Sequence, residues 1–159
     1  VQRMAADGME LGNHSWAHEN LAKLSGPAVQ ESIQKTNRAI REATGQSATL
    51  VRPPYGSLGG KARPTLAAMG YSATLWDIDT LDWKTKNADN TVNVVLSQVK
   101  DGDIVLMHSI YAQSAAAAER IIPELTRRGY QLVTVSELAA ARGVKMEPGH
   151  SYGSFHKKK

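Results

Sequence analysis

The sequence predicts an α/β fold of parallel strands joined by crossover helices, arranged as a sheet or barrel. Three observations predict it. Short apolar segments alternate with helical ones along the chain. Glycines at 8, 45, 70 and 129 stand where helical segments should stop. The polar residues most costly to keep in such a fold follow strand candidates at their C-terminal ends, the edge where βα loops converge on a site.

The elements follow in order. Residues 1–8 read as the last turns of a helix stopped by Gly8, so the chain is expected to begin in mid-element. Residues 9–13 are a strand candidate. Ser25-Gly26-Pro27 starts a helix whose apolar face carries Val29, Ile33 and Ile40 and which ends near Thr44. Residues 49–52 form a strand running into the Pro53-Pro54-Tyr55-Gly56 turn. Helix 61–69, strand 71–77, helix 90–100 and strand 103–107 follow, the last a continuous apolar run at Ile104-Val105-Leu106-Met107. Helix 115–128 should kink at Pro123, 130–135 is the last strand, and 136–142 is a short helix. The expected organisation is one domain over 1–143 and a polar trailing segment over 144–159.

Composition removes several function classes. At 159 residues the chain has the size of one domain, and 42% hydrophobic content suffices for a core. The net charge is +4, and Lys157, Lys158 and Lys159 supply three of those charges. A nearly neutral body argues against a nucleic-acid partner. No apolar run approaches transmembrane length. Zero cysteines exclude a disulfide framework, thiolate zinc ligands and a cysteine nucleophile.

The chemistry-bearing residues gather in four places. His14 and His18 can bring two imidazoles to one metal, or serve as capping or surface histidines. Arg52-Pro53-Pro54-Tyr55-Gly56 is a rigid turn that can also aim backbone donors, Tyr55 N–H among them, at an oxyanion. Asp79 and Asp82 flank a turn beside Trp83, as helix-entry caps or as partners of a reacting group. His108 ends an apolar strand, as a neutral core histidine or as a general acid held by an Asp. Ser15 and Ser109 adjoin histidines, but no G-x-S-x-G elbow supports a serine nucleophile. His150 and His156, in the trailing segment, are expected to carry no chemistry.

Together, His14-Ser15-Trp16-Ala17-His18, Arg52-Pro53-Pro54-Tyr55-Gly56, Asp79-Thr80-Leu81-Asp82-Trp83 and Leu106-Met107-His108-Ser109 resemble motifs two to five of the NodB-type polysaccharide deacetylases, carbohydrate esterase family 4. The resemblance spans 9–136. It implies a distorted (β/α) TIM-like barrel, here lacking its N-terminal βαβ portion. The implied activity is metal-dependent removal of N-acetyl groups from GlcNAc-containing polysaccharide, of peptidoglycan or chitin type. Its alternatives are O-acetyl ester cleavage on xylan and a non-catalytic carbohydrate-binding remnant.

By the same resemblance, His14 and His18 would ligate a divalent metal, zinc or else cobalt or similar. Arg52 would pair with the catalytic base, and the Tyr55 N–H would hold the oxyanion. His108 would be the general acid, oriented by Asp82, with Asp79 a second candidate. Pro54, Trp83 and Leu106 would contact the substrate. The implied location is extracellular or at the cell wall, and the implied partner is the acetylated polysaccharide. The sequence departs from the family at Ser109, where an Asp is common, and in having no Asp-Asp pair, the motif that carries the base and third metal ligand. That motif is expected on a segment before Val1, either a separate or cleaved N-terminal fragment, which would be a second partner, or residues not included in this sequence.

Overall fold

The computed structural model describes residues 1–157; Lys158 and Lys159, two of the three tail lysines, lie outside the described residues. The helices are α1 (Gln2–Ala6), α2 (Gly26–Thr44), α3 (Ala62–Ala68), α4 (Asp82–Thr85), α5 (Ala88–Gln98), α6 (Ala112–Arg127) and α7 (Val135–Ala141). The strands are β1 (Ala73–Thr74), β2 (Ile78–Asp79), β3 (Val105–Leu106) and β4 (Ser151–Tyr152). Two short 3-10 turns occur at Leu21–Lys23 and Pro54–Gly56. Two compact units result, one of Val1–Leu75 with Thr134–Tyr152, the other of Trp76–Val133 with the described residues from Gly153. No helix among the described residues is long and apolar enough to cross a membrane.

In the first unit, Ser25 caps α2 by accepting the Ala28 N–H at 3.4 Å, with Pro27 in the first turn. Gly45 closes the helix at φ 72°, in the left-handed region that costs glycine nothing. Val29 and Ile33, four residues apart, turn inward against Leu21, Val51, Leu58, Ala62, Leu66 and Ala73. Parallel pairings run from Asn13 to Val51, from Val51 to Ala73, and from β1 to β4 in the register Ala73 with Ser151 and Thr74 with Tyr152.

In the second unit, β2 and β3 are parallel, Ile78 opposite Val105 and Asp79 opposite Leu106. Helices α5 and α6 cover them with a cluster of Val92, Val95, Ala117, Ile121 and Leu125. The last three recur every four residues on α6, the period of one helix face. Helix α6 continues through Pro123.

The helices agree with the periodicity within a few residues, and the strands are shorter than expected. Among the described residues, segment 9–13 bridges at Asn13 alone and segment 49–52 at Val51 alone, which pairs with both Asn13 and Ala73; Pro53 and Pro54 lack the N–H groups a ladder would need next. Segment 71–77 gives only β1 and is followed separately by β2. Residues 130–135 form no strand. Leu132 and Val133 are 50% and 41% exposed, and Thr134 with Glu137 forms a reciprocal capping box that starts α7 instead.

The segment after Gly143, expected to trail, supplies β4 and then a buried anchor. Phe155 is 4% exposed and its N–H donates to the Gly102 carbonyl at 2.7 Å. Gly102 sits at φ 105°, and a Cβ there would meet the Phe155 oxygen at 2.5 Å, so only glycine allows this approach. His156 follows, with Nε2 2.6 Å from Asp103 Oδ1 and 3.3 Å from Asp77 Oδ2. The far oxygens of the two carboxylates accept the Lys100 and Ile104 N–H groups.

Burial alone would raise the Asp103 carboxyl, but hydrogen bonds from His156 and the Lys100 N–H hold it below the ordinary carboxylate range. A depressed folded value stabilises the protein above the unfolded value, near 4, and the contribution is lost as pH falls through the folded value. His156→Ala should therefore lower unfolding free energy by about 1 kcal/mol at pH 7 and by less at pH 3. Urea unfolding at the two pH values checks this; equal midpoints for variant and wild type at pH 7 would contradict it.

Candidate functional site

In the first unit the candidate residues lie on the loop after Asn13. Asn13 is fully buried and satisfies itself on three sides. Its amide nitrogen donates to the Ile33 carbonyl at 2.9 Å and to Asn37 Oδ1 at 2.7 Å, and its Oδ1 accepts the Ser15 N–H at 2.9 Å. Ser32 on α2 accepts the Trp16 N–H at 2.9 Å, and Glu19 accepts the Ala17 N–H at 3.0 Å. These bonds hold Ser15 and His18 at φ 65° and 57°, a region that L residues enter only when the surroundings impose it. Lys35 lies 4.1 Å over the Trp16 ring, tying the loop's outer side to α2.

The two imidazoles are thereby brought together. The His14 and His18 ring centroids are 5.0 Å apart, at an interplanar angle of 71°. His14 Nδ1 is 2.5 Å from the Arg52 carbonyl oxygen. A carbonyl only accepts, so Nδ1 carries the proton and the ring's lone pair is on Nε2, the tautomer of a metal-ligating histidine. His18 Nδ1 is 3.2 Å from the Tyr55 hydroxyl, and those two rings stack edge to face at 4.8 Å. The metal-compatible cluster of three donor residues among the described residues, however, is Asp77, Asp103 and His156, and His14 and His18 contribute to no such set.

Tyr55 sits in the Pro turn at φ 60° and ψ 11°, followed by Gly56 at φ 65°, while Pro53 and Pro54 are buried beneath it. A tyrosine in that region stores backbone strain of the kind found at working sites. Arg52 presents a second irregularity. Its Nε is enclosed and has no hydrogen-bond partner among the described residues, and burial lowers the guanidinium's pKa. An orphaned donor on a cation is the natural seat of a carboxylate.

In the second unit the candidate residues gather around Asp82, which is 1% exposed. Oδ1 accepts the Trp83 N–H at 2.9 Å and bonds His108 Nδ1 at 2.7 Å. Oδ2 accepts the His108 N–H at 2.7 Å and the Ser114 hydroxyl at 2.6 Å. Burial by itself would raise this carboxyl, but the bonds from Ser114 and His108 hold it below the ordinary range. The carboxylate is thus ionised, Nδ1 of His108 is the donor, and Nε2 faces outward from the pair. Asp79 does not share this role; its Oδ1 accepts the Leu81 N–H at 2.9 Å.

The remaining expected residues fall around this knot. Trp83 is 45% exposed on α4, and Leu106 is buried on β3, its carbonyl accepting the buried Thr80 hydroxyl at 2.8 Å. Asn13, Ser32, Thr80 and Ser114 were not among the residues singled out from sequence. Each is a single small polar residue, and its partners lie 13 to 32 positions away, except where they are local backbone. The one available signal was an uncharged polar residue at an otherwise buried position.

A polysaccharide deacetylase family profile matches residues 1–74. The chain is 45% identical over 136 residues to the peptidoglycan-N-acetylmuramic acid deacetylase PdaC of Bacillus subtilis, covering 86% of this chain and 28% of that protein. It is 37% identical over 152 residues to the peptidoglycan-N-acetylglucosamine deacetylase PgdA of Listeria monocytogenes, covering 96% and 31%. The chain thus spans about three tenths of the length of these curated relatives. Among solved structures, T48 deacetylase with substrate superposes with TM-score 0.88 at 36% identity, covering 95% of this chain and 73% of that one. A family 4 acetyl xylan esterase from Clostridium thermocellum in complex with a cobalt ion gives 0.87 at 29%, covering 96% and 76%.

Asp82→Asn replaces an acceptor with a donor where four donors already converge. It should cost about 2–4 kcal/mol of stability at pH 7. The loss should shrink as pH falls below the unfolded value, near 4, and on through the lower folded value, where the folded wild-type carboxylate takes up its proton. Thermal melts across that range measure both effects; a pH-independent difference would contradict the ionised assignment.

Proposed function

The chain belongs to the polysaccharide deacetylase family, carbohydrate esterase family 4, and from that membership we propose that it serves hydrolytic removal of N-acetyl groups from a GlcNAc-containing polysaccharide, with peptidoglycan the preferred substrate. The observation that carries the reading is the Asp82–His108 pair, an ionised buried carboxylate holding an imidazole by Nδ1. That is the arrangement a general acid needs. Water adds to the acetamide carbonyl and gives a proton to a base; His108, protonated at Nε2, then gives its proton to the departing amine nitrogen as the C–N bond breaks, so the sugar leaves as an amine and the acyl group as acetate. Asp82 stabilises the imidazolium and fixes its orientation, without itself taking the proton.

The first unit's residues fit the remaining requirements. His14 and His18 would hold a divalent metal, zinc in our reading, and the Nε2 lone pair of His14 suits that role. When bound, such an ion polarises an acyl carbonyl and lowers the pKa of a water. A ligand set completed from outside the described residues is part of the proposal. The backbone N–H of Tyr55, held in a strained proline turn, would meet the oxyanion. Arg52, with its orphaned Nε, would pair with the base carboxylate. Pro54, Trp83 and Leu106 would contact the acetylated sugar. These 159 residues hold no Asp-Asp pair to supply that base, so the proposal includes a paired-aspartate segment from outside them. Acting on peptidoglycan places the protein outside the membrane, at the cell wall.

A second reading, cleavage of O-acetyl esters, is favoured by the likeness to the acetyl xylan esterase. An alkoxide leaves more easily than an amine, so ester cleavage should depend less on His108. Acetate release from GlcNAc oligomers and from acetylated xylan, with a divalent metal present and after chelation, separates the readings. We expect metal-dependent release from GlcNAc oligomers, cut by about 10²-fold or more in His108→Ala. Release that is unaffected by that substitution, or confined to xylan, would overturn the amide reading. Glycan binding with no release would support a carbohydrate-binding module instead.

A further inference from the structure

We propose that Ser114 is a positioning residue for His108, acting through Asp82 by donating the hydroxyl proton that fills the last lone pair of the carboxylate. Ser114 lies at the third position of α6 and is 3% exposed. Its hydroxyl is 2.6 Å from Asp82 Oδ2, a distance typical of a charge-assisted O–H···O⁻ bond. The two bonds on Oδ2 come from the His108 N–H and Ser114, and the two on Oδ1 from the Trp83 N–H and the His108 ring. Ser114 is thus the one donor of the four that comes neither from His108 nor from the residue next to Asp82. It draws charge towards Oδ2, away from the oxygen that holds the imidazole.

The consequence has a definite sign. Each bond to the carboxylate disperses its negative charge, and the imidazolium feels what is left. Removing the Ser114 hydroxyl concentrates charge on Asp82, and His108 should hold its proton to higher pH. Ser114 thereby tunes how readily the acid gives up its proton. Tyr111 also faces His108 within this unit, and Lys86 in turn faces Tyr111. The Tyr111 ring lies 6.4 Å from the imidazole, and Lys86 Nζ lies 5.5 Å over the Tyr111 ring. Both are unchanged in the variants below, so they cancel in the comparison.

The chemical purpose of this tuning rests on the general-acid role proposed for His108, but its test does not. NMR titration of the His108 ring in wild type, Ser114→Ala and Ser114→Thr reads the effect directly. Ser114→Ala should raise the His108 pKa by about 0.5–1 unit, and Ser114→Thr, which keeps the hydroxyl, should restore the wild-type value. Should Ser114→Ala fail to fold, Ser114→Cys, close in shape but a weaker donor, carries the same test. Any deacetylation detected should show the basic limb of its rate profile moving up by the same amount. A His108 titration unmoved in Ser114→Ala, or moved equally in Ser114→Thr, overturns the proposal and leaves the deacetylase reading to the acetate assay.

Discussion

A carboxylate can be kept out of water only if its lone pairs are filled, and Asp82, 1% exposed, meets that condition with four donors. Much of the second unit follows from this one constraint. The parallel register that sets Asp79 beside Leu106 brings the ends of β2 and β3 together, so that the residues just past them, Asp82 and His108, can meet. Thr80 locks that junction by bonding the Leu106 carbonyl, and Leu81 takes a left-handed conformation at φ 53° so that the chain can enter α4 with Asp82 pointing inward. Helix α6 closes the knot with Ser114 and packs Ala117, Ile121 and Leu125 onto α5. The core that stabilises the unit and the dyad that would work in it are therefore set by the same two strand ends.

The first unit solves a related problem with a neutral group. Asn13 is buried at the end of its bridge and spends both donors and its acceptor on α2 and on the loop behind it. What emerges is a loop whose strained residues, Ser15 and His18, are over-determined by bonds to Asn13, Ser32 and Glu19. In both units a satisfied buried polar side chain stands just before the residues that would do chemistry. Rigidity of this kind is what a metal ligand or a general acid requires, since small displacements are costly in catalysis.

Much of this was legible in the residues. Helix α2 announced itself through Ser25, Pro27, the Val29–Ile33 pair and Gly45, and four motifs at strand ends carried the family resemblance over most of the chain. Strand lengths were not legible, because ladder partners are chosen by register far along the chain, and prolines at 53 and 54 curtail one ladder from within. Residues 130–135 show the limit most clearly. Their β-prone composition lost to a capping box at Thr134, which is local, while pairing would have needed a distant strand. Ser114, Asn13 and the Phe155–His156 anchor were missed for a related reason, since their partners lie far away in sequence and no local spacing marks them.

Asp82, ionised and filled by its donors, dictates the tautomer of His108. Long-range proton–nitrogen NMR correlation on the imidazole of His108, recorded above its titration, tests it most directly. The account predicts a protonated, pyrrole-type Nδ1 and a pyridine-type Nε2 carrying the lone pair. The opposite assignment, with the proton on Nε2 and the lone pair turned towards Asp82, would mean that the carboxyl is the donor, and would contradict the account at its base.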